Sequence, residues 1–295
     1  MQNSTSTTRA IVLGGGGTAG IAWESGLLAG LLEHGVDLAA ADLVVGTSAG
    51  SAVAVQLRAG SLSTHLPRTE PSPGREQAQQ PAPSASAAPP FDTEAFVQLM
   101  GAAAQNATGP QDARARLGAR AAAAPAVMTE EAWLARIGHT LPRDWPAGEL
   151  ALTAVDTADG AFTVFDARSG VPLEKAVAAS CTVPTVFPLV HIDGHVYMDG
   201  GMRSATNADL AAGHDKVLVV SCNPEPPTSP FGPTLDESLR LIEESGSAFH
   251  VTADEASHEA FGTNPLDPAR RIPSFEAGLA QAEQLADRVK EFWSA

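Results

Sequence analysis

Apolar residues in the first sixty positions fall into two short runs, each followed by a helical pattern. Arg9 to Leu13 (Arg-Ala-Ile-Val-Leu) is a continuous apolar run, which predicts a buried strand. It enters Gly14-Gly15-Gly16-Gly17. After Thr18, the residues Ile21, Leu27, Leu28, Leu31 and Leu32 recur at near-helical spacing until Gly35. Asp42 to Val45 predicts a second strand, followed by Gly46-Thr47-Ser48-Ala49-Gly50, and Ser51 to Arg58 is helical again. Strand, glycine turn and helix, given twice in succession, predict a parallel sheet with helices packed on it.

The pattern breaks at 67–90, where seven of 24 residues are proline and Ser, Gln and Ala supply much of the rest. Such a segment buries too little apolar surface to offset its ordering entropy, so a flexible loop is expected. Residues 91–145 read as Ala-rich helices, broken near Gly109-Pro110 and Pro142, and are expected to form a helical cap beside the core. Core strands resume at Leu150 to Asp156 and at Phe162 to Asp166, with Asp159-Gly160 as a hairpin turn. Pro172 to Ser180 predicts a short helix, and Pro184, Phe187 and Pro188 a bend. Val190 to Ile192 and His195 to Met198 flank a second hairpin turn, Asp193-Gly194. Lys216 to Ser221 is expected to be a last buried strand, with only helices and the Gly262 to Pro268 loop after Thr234. The expectation is one domain over 1–295, with 67–90 and 91–145 inserted into its core.

Composition narrows the partners. Hydrophobic residues make up 44% of the chain, enough for a sizeable core, and the formal net charge is −16. That charge disfavours nucleic acid and gives no attraction to anionic membranes. The polar N-terminus and the lack of a long apolar run give no sign of a signal peptide or a membrane span. A cytoplasmic location is expected, with membrane contact peripheral at most. Cys181 and Cys222 lack metal-ligand spacing and are expected as small buried residues, and no metal or cofactor is expected. Trp23 and Trp133 are expected to pack in the interior.

Three turns carry candidate chemistry. Gly46-Thr47-Ser48-Ala49-Gly50 fits G-x-S-x-G between a strand and a helix. There a serine sits on a tight turn, Gly46 and Gly50 let the backbone fold, and the following helix N-terminus favours negative charge. Gly14 to Gly20 can converge backbone N–H groups on an anion, as an oxyanion hole does. The same stretch matches G-x-G-x-x-G at Gly15, Gly17 and Gly20, so a nucleotide-binding turn stays open; Asp37 and Asp42 lie near the place, about 20 residues on, where it would want an acidic residue, but Asp42 starts its strand instead of ending it. Met198-Asp199-Gly200-Gly201 places a carboxylate at a turn. His191, His195 and His214 keep open a Ser-His-Asp triad of the α/β-hydrolase type, although all eight histidines are expected at the surface or in turns.

Taken together, the tetraglycine turn, Gly-Thr-Ser-Ala-Gly and Asp-Gly-Gly resemble the patatin-like phospholipase family, over roughly 9–60 and 148–225. Ala178 to Pro188 resembles that family's Ala-Ser-rich, Pro-containing segment. The resemblance implies a three-layer α/β/α fold with a mainly parallel central sheet. It also implies a Ser–Asp dyad, with Ser48 as nucleophile and Asp199 as base. Gly15, Gly16 and Gly17 would form the oxyanion hole, with Gly14, Gly20, Gly46, Gly50, Gly200 and Gly201 supporting the three turns. The implied reaction is hydrolysis of acyl esters of lipids. One departure is Ala19, at a position that the family usually gives to Arg or Lys.

Overall fold

A computed structural model describes residues 7–65, 91–125 and 127–294. The Pro-rich stretch 67–90 lies outside the described residues. The elements in chain order are β1 (Arg9–Leu13), α1 (Gly17–Glu33), β2 (Leu43–Gly46), α2 (Ala49–Arg58), α3 (Thr93–Ala104), α4 (Pro110–Ala123) and α5 (Glu130–Gly138). They continue with β3 (Glu149–Asp156), β4 (Phe162–Phe165), α6 (Leu173–Ser180), β5 (Val190–Ile192), β6 (His195–Asp199), β7 (Lys216–Ser221), α7 (Leu235–Glu243), β8 (Ser247–Thr252), α8 (Glu255–Phe261) and α9 (Arg271–Ser294).

Among the described residues one sheet runs β5-β6-β3-β2-β1-β7-β8, with β4 also on β3. The pairs β3–β2, β2–β1, β1–β7 and β7–β8 are parallel, and the three hairpin-side pairs of β3, β4, β5 and β6 are antiparallel. Alternation along β1 explains the three layers. Ile11 and Leu13 face a large core shared with α1, α2, α6 and α9, while Ala10 and Val12 face a smaller one closed by Ala208, Ala211 and α7. A third cluster joins Ala103 of α3 and Leu117 of α4 to Val155, Met198 and Met202. The helices of 91–145 pack on the core: a Cβ on Gly118 of α4 would lie 2.3 Å from the carbonyl oxygen of Thr157, just past β3, and Trp133 of α5, 4% exposed, packs against α6.

The expectation of only helices and a loop after Thr234 is wrong. Ser247–Thr252 adds β8 in parallel to β7, over all six residues from Lys216↔Ser247 to Ser221↔Thr252. It is an edge strand in which only Val251 is buried, so its side chains carry no alternating signal. Long-range packing makes the strand: the free edge of β7 takes its backbone, and Phe249 meets Phe292 of α9 at 5.5 Å between ring centroids.

Helix α9 closes the fold by crossing α1 at glycines. A Cβ on Gly278 would lie 2.2 Å from the Trp23 carbonyl oxygen, and one on Gly26 would lie 2.3 Å from that of Phe275. Gly278→Ala should therefore destabilise the protein by about 1–3 kcal/mol through overpacking, against a helix-propensity gain of about 1 kcal/mol. Urea unfolding reads the sign directly, and a stabilised variant would show that this crossing is loose.

Candidate active site

The C-terminal ends of β1 and β2 lie side by side, so the turns that follow them touch. Ser48 stands between β2 and α2 at φ 54°, ψ −120°, in the sparsely populated left-handed half of backbone space. The turn has room for neither a longer loop nor a side chain at its flanks. A Cβ on Gly50 would lie 2.2 Å from the Leu13 carbonyl oxygen, and one on Gly46 would lie 2.6 Å from the Ser51 Cα. The Gly50 N–H donates to the Gly14 carbonyl at 2.9 Å and the Thr47 N–H to that of Leu13 at 3.0 Å, which locks the two turns together.

Ala178 to Pro188 braces the serine from the other side. The Ser48 N–H donates to Ser180 Oγ at 3.0 Å. The Ser48 carbonyl accepts from Ser51 Oγ at 2.6 Å and from Cys181 Sγ at 3.0 Å. Thr182 accepts the Asp199 N–H on its carbonyl at 2.9 Å. Trp133 holds this segment in place, donating from Nε1 to Thr182 Oγ1 at 3.1 Å and stacking on Phe187 at 4.2 Å. Cys181 is buried as expected, but it is more than filler. Burial pushes its thiol up to about 12, so it stays protonated and serves as a donor to the serine backbone. The brace left no trace in the sequence beyond the Ala-Ser-rich composition of the segment.

Asp199 ends β6 and is 1% exposed. Its Oδ1 accepts the Gly201 N–H at 2.7 Å, while its Oδ2 is buried without a hydrogen-bond partner among the described residues. Burial pushes this carboxyl up to about 7, and the neighbouring Ser48 hydroxyl and the Gly201 N–H pull it only partly back. Ser48 and Asp199, far apart in the chain, are thus brought together with one carboxylate oxygen free.

The glycine turn lies against the serine: a Cβ on Gly15 would be 3.4 Å from Ser48 Cβ and 3.8 Å from its Oγ. The turn does not offer all its N–H groups. Gly14 donates to the Val220 carbonyl at 3.1 Å and Gly15 to that of Ala205 at 2.9 Å. Gly15 is therefore engaged, whereas Gly16 and Gly17, at the N-terminus of α1, have no acceptor among the described residues. Gly16 and Gly20 are also the points where the turn packs on Cys222, whose Sγ would be 2.4 Å and 2.9 Å from added Cβ atoms. Ala19 is fully buried, and its N–H donates to the Pro265 carbonyl at 2.9 Å. The segment at Pro265 thus closes over Ala19.

The other candidates fall away from the site. His191 binds Glu130 at 2.7 Å, His195 binds Asp156 at 2.6 Å and His214 reaches the Ala211 carbonyl at 3.0 Å; no described histidine bonds to Ser48 or Asp199. Asp42 opens β2, at the end of the sheet opposite the glycine turn, and accepts the Arg9 N–H at 2.7 Å, so it is not placed to hold a ribose. Trp23 and Trp133 are both buried. Among the described residues no three His, Cys, Asp or Glu side chains are grouped to hold a metal ion.

The family described as patatin-like phospholipase matches residues 11–212. Two solved structures are similar at 15% identity. VipD from Legionella pneumophila aligns over 96% of this chain and 67% of that chain with a TM-score of 0.40. The type III effector protein ExoU aligns over 94% of this chain and 53% of that chain with a TM-score of 0.35, so the present chain spans about half of it. No curated protein matches.

The raised Asp199 carboxyl has a consequence for stability. Between its ordinary value of 3.8 and about 7, the unfolded chain releases this proton while the folded chain keeps it. Folding stability is therefore lost as pH rises through that window and is flat above it, at up to about 1.4 kcal/mol per pH unit. Asp199→Asn removes the penalty. The variant should be more stable than the parent at pH 8 and nearly equal to it at pH 4, by urea unfolding; an equal difference at both would show that the carboxyl is not shifted.

Proposed function

Because the chain belongs to the patatin-like phospholipase family, we propose that it is a serine-dependent hydrolase of acyl esters of lipids, with Ser48 as nucleophile and Asp199 as general base. The observation that carries this reading is the free, buried Oδ2 of Asp199 beside a serine on a strained turn. A serine hydroxyl attacks only when a base takes its proton, and a carboxyl raised to about 7 is matched to that task near neutral pH.

The steps balance without a metal or cofactor. Ser48 Oγ attacks the ester carbonyl carbon as its proton passes to Asp199 Oδ2, and the carbonyl π electrons move onto oxygen. The N–H groups of Gly16 and Gly17, at the positive end of α1, receive that oxyanion. Collapse expels the alcohol, which takes the proton from Asp199 and leaves acyl-Ser48. Water then attacks the acyl carbon and gives its proton to Asp199. A second collapse releases the fatty acid as the proton returns to Ser48.

Among the described residues no helix is long and apolar enough to cross a membrane. Contact with a lipid surface is thus proposed as peripheral, and the net charge of −16 favours uncharged or zwitterionic lipid over anionic lipid.

Ser48→Ala should abolish both hydrolysis of p-nitrophenyl butyrate and labelling by a fluorophosphonate, and Asp199→Asn should cost about 10²- to 10⁴-fold in kcat. A serine variant that turns over at the parental rate would refute the assignment. The base must be ionised, so kcat/KM should rise tenfold per pH unit below about 7 and level off above it. His191→Gln, His195→Gln and His214→Gln should each keep most activity. A folded histidine variant as inactive as Ser48→Ala would replace the dyad by a triad.

A further inference from the structure

The three turns that meet at the site share a fourth segment, Arg203 to Asn207, which follows the Asp-Gly-Gly turn. Its Ala205 carbonyl accepts the Gly15 N–H at 2.9 Å, and its Thr206 carbonyl accepts Thr47 Oγ1 at 3.2 Å. Asn207 stands at the centre, fully buried and in the left-handed conformation at φ 50°, ψ 39°. Its Oδ1 accepts from Arg203 Nη1 at 2.8 Å, and the same guanidinium is held by both oxygens of Asp209 at 2.9 and 2.7 Å. Arginine only donates, so this bond sets which way the amide points and turns Nδ2 inward. There Nδ2 lies 3.1 Å from Thr47 Oγ1, 3.2 Å from the Gly200 carbonyl, 2.9 Å from the Ser204 carbonyl and 3.4 Å from Thr153 Oγ1. Thr153 Oγ1 in turn donates to Thr47 Oγ1 at 2.9 Å. One amide group thus touches the residue before the nucleophile and the residue after the base.

We infer that Asn207 is a positioning residue that fixes the separation of the Ser48 and Asp199 turns by bridging Thr47 to Gly200. The inference rests on Ser48 and Asp199 being the reacting pair. Its action is indirect: Asn207 touches neither reacting side chain, and the surrounding acceptors are buried, so loss of the amide removes the Ser204 carbonyl's donor, takes one donor each from Thr47 Oγ1 and the Gly200 carbonyl, and lets the turns drift. A misplacement on the order of 1 Å between reacting groups can cost about 10²-fold in rate.

Asn207→Gly separates the side chain from the backbone, because glycine takes the left-handed conformation without strain. The full chain is assayed on p-nitrophenyl butyrate for kcat and KM, together with the rate of fluorophosphonate labelling and the circular dichroism spectrum. The expected result is a folded variant with kcat and labelling rate both lower by about 10²-fold and KM within about twofold, the pattern of lost reaction geometry and not of lost substrate binding. A folded variant whose kcat stays within about threefold of the parent, or whose loss is confined to KM, overturns the inference. If Asn207→Gly does not fold, Thr153→Val decides: it keeps side-chain shape and removes one hydroxyl from the same network, so a lowered kcat at unchanged KM supports the role and an unchanged kcat overturns it. A parent protein that neither turns over ester nor labels would overturn the hydrolase reading and this inference with it. An active parent with an active Asn207→Gly overturns this inference alone.

Discussion

Close backbone contact between two turns is the constraint on which this site depends. The turns after β1 and β2 lie so near that Gly50 can carry no side chain beside the Leu13 carbonyl, and its N–H closes the contact on Gly14. Because parallel neighbours end at the same edge, the Ser48 turn and the glycine turn are placed together by the sheet itself. The strain at Ser48 is tolerated because the surroundings over-determine it: its N–H and carbonyl are both held by Ser180, Ser51 and Cys181.

The buried carboxyl sets function against stability. A solvated Asp199 would be an easily ionised but weak base. Burial makes it a stronger one and leaves Oδ2 without a hydrogen-bond partner among the described residues, at a cost in stability. Antiparallel pairing of β6 with β3, Asp199 opposite Ala154, brings the acid to the sheet edge where the parallel strands end. The departure from a wholly parallel sheet is thus what brings Asp199 to the Ser48 turn.

Residues 213–295 lie beyond the family match and still pack against the turns. Helix α9 packs along α1, the helix that the glycine turn begins, and Pro265 accepts the Ala19 N–H at the start of that helix. Ala19 is part of the core, so the start of α1 carries no exposed side chain at this position.

The sequence by itself determined the two strand–turn–helix units, both hairpins, the helices of 91–145 and the identity of Ser48 and Asp199 as candidates. Each is written in local pattern: apolar runs, helical spacing, and glycines where a turn allows no side chain. Tertiary structure alone decided which glycine N–H groups are free, since Gly15 is taken by Ala205 in a distant loop. It also decided that Ser247–Thr252 is a strand, because an exposed edge strand takes its order from its neighbour and carries little pattern of its own. Asn207 was illegible for the same reason: its partners Thr47 and Thr153 lie 160 and 54 residues away, and a single amide acquires a role only when folding surrounds it with acceptors that water can no longer satisfy.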